Sequence, residues 1–259
     1  MLNIGLGRKI LVIMVLIIFV GAGVIPSTIG TIEKQITFSK SKSQGYIQGL
    51  IDNASDGDTI YIPSGIYYEN IIINKSISLI GEDKNTTIID GSEIGDVVTV
   101  TADWVNVSGF TIKNSSSEYP YVKAININSN FNRINDNIIF SYYGIWIEED
   151  SNSNTIIYNT LITEDRGLDV RGNTNLIKDN IINNNSFVGL RIGGYNNIVK
   201  NNIVSDNSMG IHVFYSNTID GNNISNNDIG IRIHFFTNVT NNIISNNNNN
   251  IGLVLSINM

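Results

Sequence analysis

The second half of the chain repeats itself. Six units, NRINDNIIFSYYGIWI, NTIIYNTLITEDRGLDV, NLIKDNIINNNSFVGLRI, NIVKNNIVSDNSMGIHV, NTIDGNNISNNDIGIRI and NVTNNIISNNNNNIGLVL, follow one another between residues 132 and 255. Their glycines, Gly144, Gly167, Gly189, Gly210, Gly230 and Gly252, fall at intervals of 23, 22, 21, 20 and 22 residues. Each unit opens on an Asn (Asn132, Asn154, Asn175, Asn197, Asn217, Asn238), and a second Asn follows (Asn137, Asn159, Asn180, Asn202, Asn222, Asn242). Between these marks lie apolar segments of only about three to five residues, too short for helical repeats, whose helices need roughly ten. A period near 22 with three short strands selects a parallel β-helix, in which every strand pairs with its counterparts about 4.8 Å above and below. Inward Ile, Leu and Val then stack into one core, and Ile far outnumbers Leu, as suits a pleated surface.

Asn is expected at the corners, where it tolerates the left-handed conformation and where stacked amides can bond to each other. The tract NNIISNNNNN (241–250) therefore reads as the last coil and not as a polar tail. The first half follows the same rule less regularly. Strands are expected at Thr59 to Ile62, Ile71 to Ile73, Ile77 to Leu79, Thr87 to Ile89, Val97 to Val100, Val105 to Val107, Phe110 to Ile112 and Ile125 to Ile127. Gly57, Gly65, Gly81, Gly91 and Gly109 are expected as turns between them. Before them, Ile47, Leu50, Ile51 and Ala54 take helical spacing, which predicts an amphipathic helix at about 43–54 capping the open top of the stack. No matching cap follows Leu255, which points to a truncated product, a self-associating end or a completing partner.

The opening MLNIGLGRKILVIMVLIIFVGAGVIPSTIG sets Arg8 and Lys9 before an apolar run from Ile10 to Ile25. That run suits a secretory signal, with an uncleaved anchor as the alternative. Residues 1–30 are thus a signal peptide or amino-terminal anchor and 31–259 the β-helix domain, with regular repeats at about 132–255. With no Cys in the chain, an exported product has no disulfides and relies on packing and hydrogen bonds. The formal charge of −7 falls to −9 once residues 1–30, with two basic and no acidic side chains, are removed. Nucleic acid is an unsuitable partner for so acidic a chain.

The stretch IQGLIDNASDGDTIYIPSGIYYENIIINKSISLIGEDKNTTIIDG, with VNVSGFTI and the N-x-I-x-x-N-x-I coils after it, resembles the exported right-handed parallel β-helix proteins of the NosD type, in the pectin-lyase-like superfamily. The likeness runs over about residues 44–255. It implies an all-β, single-stranded right-handed parallel β-helix of about nine or ten coils with an amino-terminal capping helix, exported to the periplasm, the extracellular space or the cell surface. That superfamily hosts lyases, hydrolases, adhesins and accessory proteins on one scaffold, so the fold does not choose an activity. The family name further implies a copper-related accessory role. Copper(I) favours thiolate and thioether ligands, whereas this chain has no Cys, two His (His212, His234) and only Met209 and Met259 beyond the apolar leader. The two histidines fall on adjacent coils two positions apart, as diagonal neighbours.

Aligned on the glycines, Trp146, Asp169, Arg191, His212, Arg232 and Val254 form one outward column. Glu148, Arg171, Gly193, Phe214, His234 and Ser256 form a parallel one. The corner before this face carries Tyr142 and Tyr143, and Tyr119 and Tyr121 flank a SSSEYP insertion one coil earlier. Rings beside charged groups are what a polysaccharide groove needs, since rings cover the apolar faces of sugars and charges bond hydroxyls or uronate carboxylates. Tyr142, Tyr143, Trp146, Glu148, Asp169, Arg171 and Arg191 are the candidate glycan face, for a polysaccharide or cell-envelope glycan. Ordinary cross-strand pairing of Glu148 with Arg171 and of Asp169 with Arg191 accounts for the same charges.

No catalytic constellation is evident. Glu148 and Asp169 are the one outward pair suited to a glycosidase, and arginine neighbours oppose a general acid there. A lyase or hydrolase on the same face is the alternative reading. No resident cofactor is expected; Ca²⁺ at Glu148, Glu149, Asp150 or at Glu164, Asp165 is the one cation considered. Sequons at Asn53, Asn74, Asn85, Asn106, Asn114, Asn184, Asn223 and Asn238 suit a glycoprotein.

Overall fold

The computed structural model describes residues 45–116 and 122–253, all within the compact unit Phe38–Met259. The leader, Tyr119 and Tyr121 of the insertion, Val254, Ser256 and the end beyond Leu255 lie outside the described residues.

Among the described residues, three strands per coil stack in parallel through nine coils. The first strands run from Thr59–Ile62 to Asn238–Thr240 as one nine-stranded sheet. The second strands run from Gly65–Tyr68 to Ile243–Ser245, and the third from Ile71–Ile73 to Asn249–Leu253. The expected strands appear within one or two residues of their predicted bounds. NNIISNNNNN supplies the last second strand and the start of the last third strand, so it is a coil.

Each strand contributes inward residues to a single core. Leu79, Val107, Ile134, Ile156 and Ile177 stack from the first strands, Ile89, Ile112, Ile139, Leu161 and Ile182 from the second, and Ile125, Ile145, Leu168, Leu190 and Ile211 from the third. The helix Tyr46–Asn53 covers the top of this core with Ile47 and Ile51. Its amino-terminal N–H groups, Ile47 and Gln48, donate to the Glu69 carboxylate at 3.0 and 3.1 Å, so a corner of the first coil caps it.

Two readings need correction. Gly65 and Gly81 lie in strands and not in turns. Gly57 and Gly109 do sit at left-handed corners, with φ of 88° and 80°. The repeating Asn residues are also not the left-handed ones. That conformation falls on the residue before, at Asp136, Tyr158, Asp179 and Asn201, while the Asn itself turns its amide inward.

Those inward amides form ladders. The backbone N–H of Asn132, Asn154, Asn175 and Asn197 each donates to the Oδ1 of the Asn one coil further on, at 2.8 Å. A second ladder runs from Asn137 to Asn242. Most of these amide nitrogens reach back to a carbonyl of the coil before, as Asn159 does to Ile134 at 2.8 Å, whereas Asn132 donates to Ser129 Oγ at 2.9 Å. Buried polar groups are tolerated because their bonds are made, and here the corner side chain makes the bonds that the sheet cannot.

Candidate functional site

The third corner, between second and third strands, is where the coils differ. From Thr163 downward it carries a third ladder, Asn185, Asn207, Asn227 and Asn247, which begins with the Thr163 N–H donating to Asn185 Oδ1 at 3.1 Å. Above it the same corner holds Ser115 and Ser141, the Ser141 hydroxyl donating to Ser115 Oγ at 2.6 Å. In the coils of Ser141 and Thr163 the second and third strands run together as Ile138–Ile147 and Thr160–Val170, with a register shift between Ser141 and Tyr143. Such a shift inserts an extra residue and re-aims the side chains beside it.

The opened corner is a groove of about 780 Å³. Glu93, Asn114, Phe140, Tyr142, Glu164 and Ser186 line it, with Ser115, Ser141, Ile162, Thr163 and Asn184 between them. Phe140 is 43% exposed there. The volume lies within the usual range for small-molecule clefts. Sequence reasoning found Tyr142 but missed the groove, since its other members are the short polar residues that elsewhere read as ordinary corners.

Beside the groove, the other predicted residues come together in a different arrangement. Trp146 is not an exposed platform: it is 2% exposed, with the Arg171 guanidinium 4.2 Å from its ring centroid and Lys123 Nζ at 5.2 Å. Tyr143 is also buried, edge-on to both Tyr142 (4.9 Å) and Trp146 (5.9 Å). Outward-pointing rings become buried here because long cationic side chains of neighbouring coils lie across them.

Asp169 is the anchor of this wall. Its side chain is fully buried, with Arg191 Nη1 at 2.8 Å, Arg166 Nη1 at 3.2 Å and Arg171 Nε at 3.8 Å. The expected Asp169–Arg191 pair forms. The expected Glu148–Arg171 pair does not: Glu148 meets Lys123 at 3.5 Å, and Arg171 turns to Trp146 and Asp169. Arg166, which column alignment left out because it precedes the Gly, is the residue that braces Asp169 from its own strand. Asp165 next to it has its pKa raised by burial, against the Arg166 charge and a hydrogen bond from Tyr143, both of which lower it.

Further down the face, His212 and His234 are diagonal neighbours as expected, and they touch: their Nε2 atoms are 2.8 Å apart. The His212 pKa is pushed down to about 4, first by burial and then by His234, Arg191, Arg232 and Arg166. His234 is lowered by burial and by Arg232. Among the described residues, no group of three or more His, Cys, Asp or Glu side chains is gathered as metal ligands would be.

Fold and site together define a right-handed parallel β-helix protein with a polar groove along one corner. The chain belongs to the NosD family, described as periplasmic copper-binding protein, whose model matches residues 51–257. Among curated proteins none matches the sequence. Of solved structures, an alginate lyase from a Paenibacillus species is similar at a TM-score of 0.56 and 14% identity, over 82% of this chain and 98% of that one. A tailspike protein of an Escherichia coli O157:H7 bacteriophage is similar at 0.57 and 12% identity, over 81% of this chain but only 38% of its own length. At such identities the likeness establishes the fold.

Copper fits these residues poorly. The chain supplies no thiolate, Met209 is the sole described methionine, and the two imidazoles sit among arginines with no acidic group completing a ligand set.

Proposed function

We propose that this chain is an exported, non-enzymatic β-helix protein that binds carbohydrate, with the groove at Phe140 and Tyr142 as the contact. One observation carries the reading: the corner ladder that seals the lower coils is replaced by serines, a bulge, the exposed Phe140 ring and the half-buried Tyr142 ring over a cleft that a sugar chain running along the helix axis could occupy. Hydroxyls, amides and the Glu93 and Glu164 carboxylates there are donors and acceptors for sugar hydroxyls, and Phe140 and Tyr142 offer apolar cover. The seven residues named from sequence act around it as two parts: Tyr142 as a contact, and Tyr143, Trp146, Glu148, Asp169, Arg171 and Arg191 as the braced wall behind. The family's periplasmic description and the alginate lyase likeness support an exported protein facing polysaccharide. Seven of the eight sequon asparagines, all but Asn106, are exposed, which supports access for glycosylation.

Cleavage by the same groove is the second reading. Asp165 favours it, as a carboxyl of raised pKa beside Tyr143, paired with Arg166 at 3.4 Å and next in the chain to the groove residue Glu164. The deciding experiment incubates the full chain with insoluble polysaccharides and follows both co-sedimentation and release of reducing or unsaturated ends. Binding predicts retention that Tyr142→Ala weakens about tenfold, with no ends released. Unchanged retention by that variant sinks the groove as the contact, and ends whose release Asp165→Asn abolishes replace the binding reading with an enzyme.

A further inference from the structure

The lower end of the same face carries a second, chemically distinct cluster. Arg191, His212 and Arg232 are register neighbours on the third strands of three successive coils. His234, two residues beyond Arg232, reaches back to His212 at 2.8 Å between Nε2 atoms. The Phe214 ring packs against both imidazoles, at 4.3 Å from His212 and 4.6 Å from His234, and Arg191 lies 4.8 Å from its centroid. These rings fix the imidazoles in place.

The charges around the pair have one sign. The groups acting on His212 are His234, Arg191, Arg232 and Arg166; the one acting on His234 is Arg232. Asp169, the carboxylate beside Arg191, is already held by Arg191, Arg166 and Arg171. Among the described residues Arg232 takes part in no ion pair, although the chain as a whole is acidic. Two Nε2 atoms at hydrogen-bonding distance can share only one proton between them, so the second position stays unprotonated while the pair is intact. A cation entering here meets three arginines. An oxyanion meets Arg232, a guanidinium edge of Arg191 and an imidazole that gains a proton as the anion enters.

We propose that Arg191, His212, Arg232 and His234 form an oxyanion site, for a carboxylate or sulfate group, and that this cluster takes an anion where the family description would lead one to look for copper. The inference deepens the carbohydrate reading by assigning it an acidic class of sugar. It stands on a separate set of residues from the groove. Because the site takes up a proton with its ligand, binding strengthens as pH falls from 7 towards 5. Removing both imidazoles breaks that coupling.

The test uses the full chain and follows the imidazole ¹⁵N and ¹H signals of His212 and His234, the chain's two histidines, with calorimetry alongside. The probes are sodium sulfate, dextran sulfate, oligogalacturonate, neutral dextran and copper(II), each at pH 7 and pH 5. The expected result is that the sulfated or uronate polymer shifts both imidazoles and binds at least tenfold more tightly at pH 5. Arg232→Gln should weaken it about tenfold, replacing both His212 and His234 by Gln should remove the pH dependence, and circular dichroism should report both variants folded. Response to sodium sulfate alone keeps the oxyanion site but removes the sugar as its source. Neutral dextran retained through Tyr142, with no anion moving the imidazoles, overturns the oxyanion site and leaves the groove reading standing. Copper(II) retained at one per chain after desalting, with both imidazole signals broadened and anions without effect, overturns the proposal outright.

Discussion

The coils above Thr163 and the coils below it share one core, and the two Asn ladders that begin at Asn132 and Asn137 run on through the lower coils, yet the third corner is closed by different means on the two sides. Below, Asn185, Asn207, Asn227 and Asn247 seal it with amide bonds from coil to coil. Above, Ser115 and Ser141 leave it open, the strands run through the corner, and a buried ion cluster on Asp169 braces the adjoining face. A ladder is self-sufficient and leaves little for a ligand to bond. The open corner offers the Glu93 and Glu164 carboxylates, its serine hydroxyls bond to each other and to the Val122 carbonyl, and charge pairs and stacked rings brace the adjoining face. Departures from a repeat are thus where binding chemistry is found.

This contrast can be broken from both sides. The largest effect is expected from Asp169→Ala, which leaves Arg191 and Arg166 facing each other without their buried carboxylate and should cost about 3 to 5 kcal/mol in urea unfolding. A loss under about 1 kcal/mol would mean the wall is not ionically braced. Gly144→Ala comes next. A Cβ there would stand 2.0 Å from the Gly167 carbonyl oxygen, so the merged strands must part, at about 3 kcal/mol.

In the sealed region, Asn202→Ala removes the acceptor of the Asn180 N–H and the donor to the Ile177 carbonyl, and should cost about 1 to 3 kcal/mol, read as a lower thermal midpoint. An unchanged midpoint would show the ladders to be ornamental. Ser141→Asn sharpens the comparison most, though its stability effect is the smallest, within about 1 kcal/mol. It sets a ladder residue in the open corner, so glycan retention should drop while the fold holds. Full retention would separate the groove from binding.

The repeat was legible because its marks are chemical. The Gly of the stacked units keeps its place since the next coil's carbonyl stands where a Cβ would be, 2.6 Å away for Gly167, Gly210 and Gly230. The Asn from Asn132 to Asn217 and from Asn137 to Asn242 keep their places since their amides complete a corner. Strand positions in the repeats, the outward columns and the Asp169–Arg191 pair follow from that period, and the capping helix from the helical spacing of Ile47, Leu50, Ile51 and Ala54. The Glu148–Arg171 pair was misplaced, because column alignment gives neighbours along the stack but not which of several a long side chain chooses. The burial of Trp146 escaped for the same reason: an outward position in a strand is exposed only until arginines from the next coils lie across it.

What the sequence alone determined is the coil: period, inward residues, ladder Asn and tight Gly recur locally, and a stacked fold turns each local rule into a column. What the tertiary structure decided is the surface between coils. The groove depends on which corner loses its ladder across several successive turns, and the contact of His212 with His234 depends on rotamers that reach diagonally over one rung. Both are set by distances between residues about 20 or more positions apart, where side-chain length and charge choose among neighbours that the pattern treats as equal.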